Sequence, residues 1–236
     1  EVSKGYHRRL HSTGEMDFMK TLLSKGLAMT AAMALCTSAL ADDALFKEHV
    51  YGAPFSKYSN QAGYYDCSVE IGATALCIDD VKFVGHAFTA ALLFSGDKLY
   101  MVSLLSAFEQ QAYVQAVAAL AKTFALVSLA DASSQLDLLD LDRRSSRQDF
   151  AAKLSSYESV AANAGNLTYT FIEGLDRAKK HPNVTTAVAA AKDNTRVAEL
   201  VIMDDGADSI LAVRFSFPKL EARKLKDALA SPVEDF

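Results

Sequence analysis

The hydrophobic and polar positions change their period along the chain, and each change marks a predicted element. Between residues 76 and 105 apolar side chains alternate with polar or small ones, a period of two that is typical of half-buried antiparallel strands. The residues on one face of the second of these strands are Phe88, Ala90, Leu92 and Phe94. Ser95-Gly96-Asp97 interrupts the alternation and predicts a hairpin turn. Residues 107–124 then show helical spacing, which predicts a helix after the strands.

The second half of the chain repeats this succession. Ser146 and Asp149 resemble a capping box and predict a helix that runs to about Ala162. Alternation over 167–173 predicts a strand, and the segment 196–217 reads as a further hairpin. Pro218 then opens a predicted helix, because proline is favoured in a first helical turn. The chain is therefore expected to have an α+β fold.

The two hairpin–helix segments can be aligned with each other. Residues 90–121 match 198–230 when Gly96 is placed on Gly206. The identity is low, so an internal duplication is a hypothesis. It would give two tandem units of antiparallel hairpin or meander followed by a helix, sharing one curved sheet.

The expected organisation of the chain has two units and a connection. The first unit is 42–130 and the second is 148–236. Residues 131–147 are the predicted linker, because they combine serine pairs, acids at 137, 140 and 142, and Arg143-Arg144 without a sustained apolar period. The acids of this linker do not have the glycine and the oxygen ligands of an ordered calcium loop.

The N-terminal segment has the composition of a secretory signal peptide. In residues 19–41, Lys20 and Lys25 precede an apolar stretch, and small residues lead to a cleavage site after Ala41. The apolar stretch is shorter than the ~20 residues that a membrane span needs, so no stable span is expected. Residues 1–18 are interpreted as a translated leader. The predicted location is the periplasm.

The charge balance argues against nucleic acid as a partner. The 236 residues are 50% hydrophobic and 22% charged, with a net charge of −5, which is the composition of a folded protein. Residues 1–41 hold five basic and three acidic side chains, so their removal leaves 195 residues with 19 basic, 26 acidic and a net charge of −7. A polyanion would be repelled by that field.

Cys67 and Cys77 are the two cysteines that follow the predicted cleavage site. An even number of cysteines in an exported chain predicts a structural disulfide, which a loop this short makes worth roughly 2–3 kcal/mol. A redox pair or a metal site is the alternative. Catalytic pairs favour C-x-x-C spacing, and no histidine cluster completes a zinc site, so no metal or other cofactor is expected.

Residues 42–66 combine turn-forming residues with many aromatic ones. Two interpretations stay open: the aromatic side chains pack on the sheet that follows, or they form a recognition surface tethered by Cys67. Tyrosine and phenylalanine suit a contact surface because they cover a large area at low entropic cost. The candidate binding residues are Tyr51, Phe55, Tyr58, Tyr64 and Tyr65.

Candidate catalytic chemistry is sparse. His86 lies at a predicted turn beside the sheet and is the one candidate general base. Asp79 and Asp80, with Glu70, could supply a carboxylate pair, although linear spacing cannot establish one. The motifs of nucleotide-binding loops, zinc proteases and serine hydrolases do not occur. No catalytic residue is therefore assigned.

Together these features predict an exported periplasmic binding module. The expected ligand is another envelope protein, bound in the manner of an inhibitor or an assembly factor, an analogy that rests on architecture alone. Two alternatives stay open. One is a carrier of a small molecule or lipid that uses a cavity between sheet and helices, and the other is an envelope hydrolase that uses scattered acids and His86.

Overall fold

The computed structural model describes residues 43–176, 178–204 and 209–230, with side chains as far as residue 227. The predicted leader (1–18), the predicted signal peptide (19–41) and the tip of the second hairpin (205–208) lie outside these residues. The described residues all fall within one structural unit, Ser38–Phe236.

The described residues form eleven strands and seven helices. The strands are β1 (Ala44–Phe46), β2 (His49–Val50), β3 (Tyr65–Asp66), β4 (Ala75–Phe83), β5 (His86–Ser95), β6 (Lys98–Ala107), β7 (Phe124–Ala130), β8 (Gln135–Asp137), β9 (Asn166–Glu173), β10 (Val197–Asp204) and β11 (Ser209–Ser216). The helices are α1 (Ser56–Ser59), α2 (Ser68–Ile71), α3 (Gln110–Leu120), α4 (Leu138–Arg144), α5 (Arg147–Asn163), α6 (Val184–Ala190) and α7 (Pro218–Ala230).

Nine of these strands form one antiparallel sheet in the order β3-β4-β5-β6-β11-β10-β9-β7-β8, and β1 pairs with β2 separately. The two halves of the chain meet where β6 pairs with β11, with Val102 opposite Phe215 and Leu104 opposite Val213. The α+β class is confirmed, and both halves contribute to a single sheet.

In the sheet, two three-stranded meanders lie side by side and pair through their last strands, β6 and β11. β4-β5-β6 is followed by α3, and β9-β10-β11 is followed by α7. Any two meanders joined through their last strands give this order. The internal duplication therefore stays a prediction.

The main core lies on one face of the sheet. Leu92 and Leu104 from the first meander, with Leu200 and Val213 from the second, are all fully buried there. The segment before β3 and the helices α3 and α5 pack on this face. Because alternate residues of a strand point to opposite faces, this burial follows from the period of two in the sequence.

The opposite face carries two smaller apolar clusters. Ala91 packs with Cys67 and Cys77 near α2. Ile172 packs with Ala187 of α6 at the other end of the sheet. These clusters cover part of the opposite face near each end of the sheet.

Several predicted boundaries are close to those observed. The turn at Gly96 joins β5 to β6. The Ser146 side chain caps α5 by accepting from the Asp149 amide at 3.2 Å. Pro218 is the first residue of α7.

Residues 131–147, expected to form a solvated linker, instead contain β8 and α4. The Asp137 carboxylate accepts two amides from the first turn of α4 at 3.0 Å each and the Val184 amide of α6 at 2.8 Å. Leu138 and Leu141 are buried. The charged composition of this segment suggests a loop, and the contact with the α6 amide that helps to fix β8 and α4 comes from far away in the sequence.

β7 has no counterpart among the predicted elements. Its sequence, FALVSLA, is a short apolar run, and the periodicity of such a run cannot distinguish a strand from a helix. Pairing with β9 decides its conformation.

Candidate functional site

The predicted aromatic contact segment is largely packed against the sheet. Tyr58 is 1% exposed, and its ring lies 6.3 Å from that of Phe94. The Phe55 ring meets Phe94 edge-on at 5.0 Å. Tyr58 therefore supports the fold and does not reach the surface where a partner would bind.

Tyr51 and Tyr64 are half-buried and hydrogen-bonded. The Tyr51 hydroxyl donates to Glu221 Oε1 of α7 at 2.5 Å, and its ring packs edge-on against Phe217 at 5.6 Å. The Tyr64 hydroxyl lies 2.9 Å from Nε2 of His49. These contacts favour the packing interpretation for both tyrosines.

His49 is a buried histidine of this segment, with 2% of its surface exposed. Its Nδ1 lies 3.0 Å from the Phe46 carbonyl oxygen, which can only accept, so Nδ1 carries the proton. In the neutral ring, Nε2 then accepts from the Tyr64 hydroxyl. Burial lowers the pKa of His49 from its ordinary value of 6.5.

Tyr65 is the one candidate aromatic residue that is exposed, at 45%. Its hydroxyl donates to Asp79 Oδ1 at 3.0 Å. Partial desolvation and then this hydrogen bond raise the pKa of Tyr65 above its ordinary value. The bond joins the end of the aromatic segment to the acidic pair of β4.

A disulfide between Cys67 and Cys77 holds α2 beside Tyr65, with the two Cα atoms 5.8 Å apart. Both cysteines are buried, whereas Val69 on α2 is 92% exposed. Exposed apolar and aromatic side chains are a feature of contact surfaces, and Val69 follows Tyr65 by four residues in the chain.

The acidic pair lies in a β-bulge. Pairing between β4 and β5 shifts between Ile78 and Val81, and Asp80 has a φ of +59°. The extra residue redirects both carboxylates relative to the ladder. Thr89 Oγ1 of β5 donates to Asp79 Oδ1 at 2.6 Å and fixes that carboxylate.

These residues open onto a cavity of about 440 Å³ between the β4–β5 end of the sheet and the start of α3. Its volume lies within the range of ligand sites. The residues that line it are Asp79, Asp80, His86, Ala87, Phe88, Thr89, Leu105, Ser106, Ala107, Glu109 and Ala112. The fold therefore brings the predicted acidic pair and His86 to one cavity, while Glu70 is not among the lining residues.

Both ring nitrogens of His86 face partners on or beside α3. Nδ1 lies 3.4 Å from Glu109 Oε2, and Nε2 lies 3.2 Å from Gln115 Oε1. Glu109 precedes the first turn of α3 but does not cap the helix with its side chain. The glutamate is thus directed to the cavity wall.

Two polar groups of the cavity have no partner within the described part of the chain. The Ser106 Oγ is buried and makes no hydrogen bond. Asp80 has neither a hydrogen bond nor an ion pair among the contacts of the described residues. Ser106 and His86 are therefore not joined as nucleophile and base, the arrangement that nucleophilic catalysis uses. The described residues also contain no group of three His, Cys, Asp or Glu side chains that could hold a metal ion.

The sheet edge beside the cavity is protected against strand addition. β3 pairs only with Leu76 and Cys77 of β4, so the rest of β4 borders the edge. The Lys47 ammonium donates to the Lys82 carbonyl oxygen at 2.8 Å. The bulge in β4 and the Lys47 ammonium, which reaches this strand from the turn between β1 and β2, both hinder pairing with another chain.

Comparison of the chain with protein-family models, curated proteins and solved structures gives no match. Within the described residues, no helix is long and apolar enough to cross a membrane. The description of the site therefore rests on its geometry. Sequence reasoning did not find Val69, Ser106 or Glu109 as site residues. Val69 is positioned by the disulfide that joins α2 to β4, and Ser106 and Glu109 reach the cavity only when β6 and α3 pack beside β5.

Proposed function

We propose that this chain is an exported, periplasmic binding module whose ligand is another protein of the envelope. The proposed contact surface comprises Tyr65, Val69 and the cavity that Asp79 lines. The predicted signal peptide and the disulfide support export, since disulfides persist in oxidising compartments.

The observation that carries the proposal is the hydrogen bond from Tyr65 to Asp79. It joins an exposed aromatic ring to a carboxylate of the cavity lining, and the exposed Val69 follows four residues later on α2. Tyrosine is enriched among the residues that dominate binding energy, and a polar cavity beside it adds specificity. An apolar anchor with adjacent charged groups is what a protein partner requires.

The edge of β4 favours insertion of a partner side chain over addition of a partner strand. The bulge at Asp80 interrupts the hydrogen-bond ladder of β4, and the Lys47 ammonium already donates to the Lys82 carbonyl oxygen. The cavity has no comparable obstruction. We therefore expect partner side chains to enter it.

A small-molecule carrier is the second candidate, because the cavity volume of about 440 Å³ fits a small ligand. Native mass spectrometry of freshly purified protein distinguishes the two. A bound mass that disappears when the cavity is narrowed by Ala107→Phe, at an exposed alanine of its lining, supports the carrier. A partner protein without a bound small molecule supports the binding module.

The geometry gives the hydrolase alternative less support, since His86 pairs with Glu109 and Gln115 and, within the described part of the chain, makes no hydrogen bond to a nucleophile. Its test is the His86→Ala variant in an assay of envelope substrates. Turnover by the native protein that the variant loses would favour the enzyme.

The test of the binding module is affinity capture from a bacterial envelope extract with the oxidised protein. The Tyr65→Ala, Val69→Ser double variant is expected to lose a stoichiometric partner. The matched control is Val160→Ser, since Val160 is also an exposed valine, at 63%, but lies on α5 away from the cavity lining. Equal capture by all three proteins would remove this surface as the contact site.

A further inference from the structure

Basic residues are concentrated in two segments of a chain that is acidic as a whole. Residues 174–196 and 218–227 contain nine basic and four acidic side chains, which is a net charge of +5. The complete chain has a net charge of −5, so the residues outside these segments carry −10. The two segments therefore have the opposite sign from the rest of the chain.

Contacts between α6 and α7 bring the two segments together. The Lys219 ammonium, in the first turn of α7, donates to the carbonyl oxygens of Ala189 and Ala191 at the end of α6, at 3.1 and 2.6 Å. Asp193, just after α6, pairs with Lys219 at 3.3 Å and with Arg223 at 2.8 Å. The positive charge is thus gathered around α6 and α7.

Three lysines of these segments keep an uncompensated charge. Lys180 precedes α6, Lys192 follows it and Lys226 lies on α7, and all three are exposed. Within the described residues none of them forms an ion pair or a hydrogen bond, whereas Glu221 is already paired with Lys224 at 3.2 Å. We call these three lysines the basic surface, and a surface of this kind attracts an anionic partner.

α7 is attached to the body of the protein by its first turn. Leu220 packs against the core, and Glu221 Oε1 accepts from the Tyr51 hydroxyl at 2.5 Å. Residues 222–227 that follow are all exposed. Helices of this length are marginally stable in water unless one face is packed, so the later turns of α7 would gain from a surface that covers them.

The exposed part of α7 has an apolar stripe between lysines. Leu225 is 63% exposed, and at about 100° per residue it shares an outward stripe with Ala222. Lys224 and Lys226 lie about 100° away on either side of Leu225. Helices that lie at a bilayer interface have this arrangement, because the apolar side chain enters the acyl region while the lysines reach the headgroups.

We propose that α7 and the basic surface bind the face of an anionic lipid bilayer. The unpaired lysines supply the attraction to the headgroups, and Leu225 supplies an apolar side chain for insertion. A purely electrostatic partner would use the lysines but would leave the leucine in water. None of these residues belongs to the contact surface of Tyr65, Val69 and the cavity, so this inference does not rest on the proposed function.

The test is sedimentation of the oxidised protein with lipid vesicles. One set of vesicles is phosphatidylcholine alone, and the other is an equal mixture of phosphatidylcholine and phosphatidylglycerol, which is anionic. We expect binding to the anionic vesicles only, and raising the salt concentration should weaken it. Every variant contains the same N-terminal residues, so differences between variants report on α7 and the basic surface.

Matched variants separate the leucine from the charge. Leu225→Ser should lower the partition coefficient about tenfold, while Val160→Ser, at an equally exposed position of α5, should leave it unchanged. Lys226→Gln should lower it about fivefold, while Lys153→Gln, at an exposed lysine of α5, should leave it unchanged. Circular dichroism verifies that all four variants are folded.

Equal binding to both kinds of vesicle, no binding to either, or equal losses in the variants and their controls would overturn the proposal. An acidic protein is the other partner that such a surface fits. Capture of a protein from an envelope extract that Leu225→Ser abolishes, without vesicle binding, would assign the surface to that protein and refute the bilayer. The proposed function is tested separately by the Tyr65→Ala, Val69→Ser variant and does not change with any of these results.

Discussion

Arg196 is expected to be the main attachment of the N-terminal strand to the sheet. Its guanidinium forms a two-point ion pair with Glu173, with Nη2 to Oε1 at 2.6 Å and Nε to Oε2 at 3.2 Å. The remaining nitrogen, Nη1, donates to the carbonyl oxygens of Ala44 and Leu45 at 3.2 and 3.0 Å. One side chain thus joins β1 to the end of β9.

The aromatic surroundings of Arg196 add to this attachment. The guanidinium carbon lies 5.4 Å from the Phe124 ring centre and 5.7 Å from that of Phe215. A hydrogen bond to a charged group contributes about 1.5–3 kcal/mol net, and a partly exposed cation–π contact contributes about 0.5–1 kcal/mol. These terms do not add fully, because the ion pair is partly exposed to solvent.

We therefore expect Arg196→Ala to lower the free energy of unfolding by about 3 kcal/mol. For a chain of this size that change corresponds to a Tm lower by about 6–12 °C. Arg196→Lys should cost about 1–2 kcal/mol, because the ammonium keeps the charge but loses the planar donors and the stacking. Hydrogen exchange at β1 should rise in both variants before global unfolding.

Urea denaturation of the oxidised protein measures these differences. Arg214→Ala is the control, because Arg214 lies on β11 of the same sheet and makes no hydrogen bond or ion pair among the described residues. It should change stability by no more than about 0.5 kcal/mol. A cost below about 1 kcal/mol for Arg196→Ala, or equal protection of β1 in all variants, would refute the reasoning.

Three further perturbations test separate parts of the structure. The Cys67→Ala, Cys77→Ala variant should lose about 2.7 kcal/mol by denaturation, because the disulfide closes a short loop of sequence separation 10; a loss equal to zero would show that the bond does not constrain the unfolded chain. The pKa of His49 is lowered in the folded protein, so the unfolded state takes up the proton first as the pH falls through 6.5, and the free energy of unfolding decreases. His49→Gln should therefore reduce the dependence of the unfolding free energy on pH between 7.5 and 5.5, and an unchanged dependence contradicts this. Asp137→Ala should lower the free energy of unfolding by about 2–3 kcal/mol, because three backbone amides lose their acceptor. Asp142 is an exposed acid of α4, and Asp142→Ala should leave the free energy of unfolding almost unchanged in the same denaturation assay.

The candidate site was only partly accessible from the sequence. The sequence identifies His86, Asp79 and Asp80 as candidate chemical groups. Their common cavity, however, depends on the bulge in β4 and on the pairing of β4 with β5. Glu109 joins them from α3, after two intervening strands. No linear spacing encodes these distances, since each is set by how strands and helix pack.

The aromatic segment shows a different limit. Its composition fits both a buried cap and an exposed contact surface, because tyrosine serves both purposes. The structure buries Tyr58 and leaves Tyr65 exposed, although both belong to the same turn-rich segment. Their burial differs because the Tyr58 ring packs near Phe94, whereas Tyr65 lies opposite Cys77 of the disulfide.

Local patterns in the sequence determined the elements whose stabilising contacts are close along the chain. The hairpin at Gly96, the cap of α5 at Ser146 and the start of α7 at Pro218 follow from period, turn chemistry and backbone geometry. Those signals act over four residues or fewer, and a single sequence contains them completely.

Only the tertiary structure decided how the halves combine and where a ligand could bind. The junction of β6 with β11, the conformation of β7 and the folding of residues 131–147 all depend on partners far away in the sequence. Long-range pairing is chosen by the burial of whole faces and by the satisfaction of distant backbone groups. The physical reason is that these energies belong to pairs of elements, and no one segment contains both members of a pair.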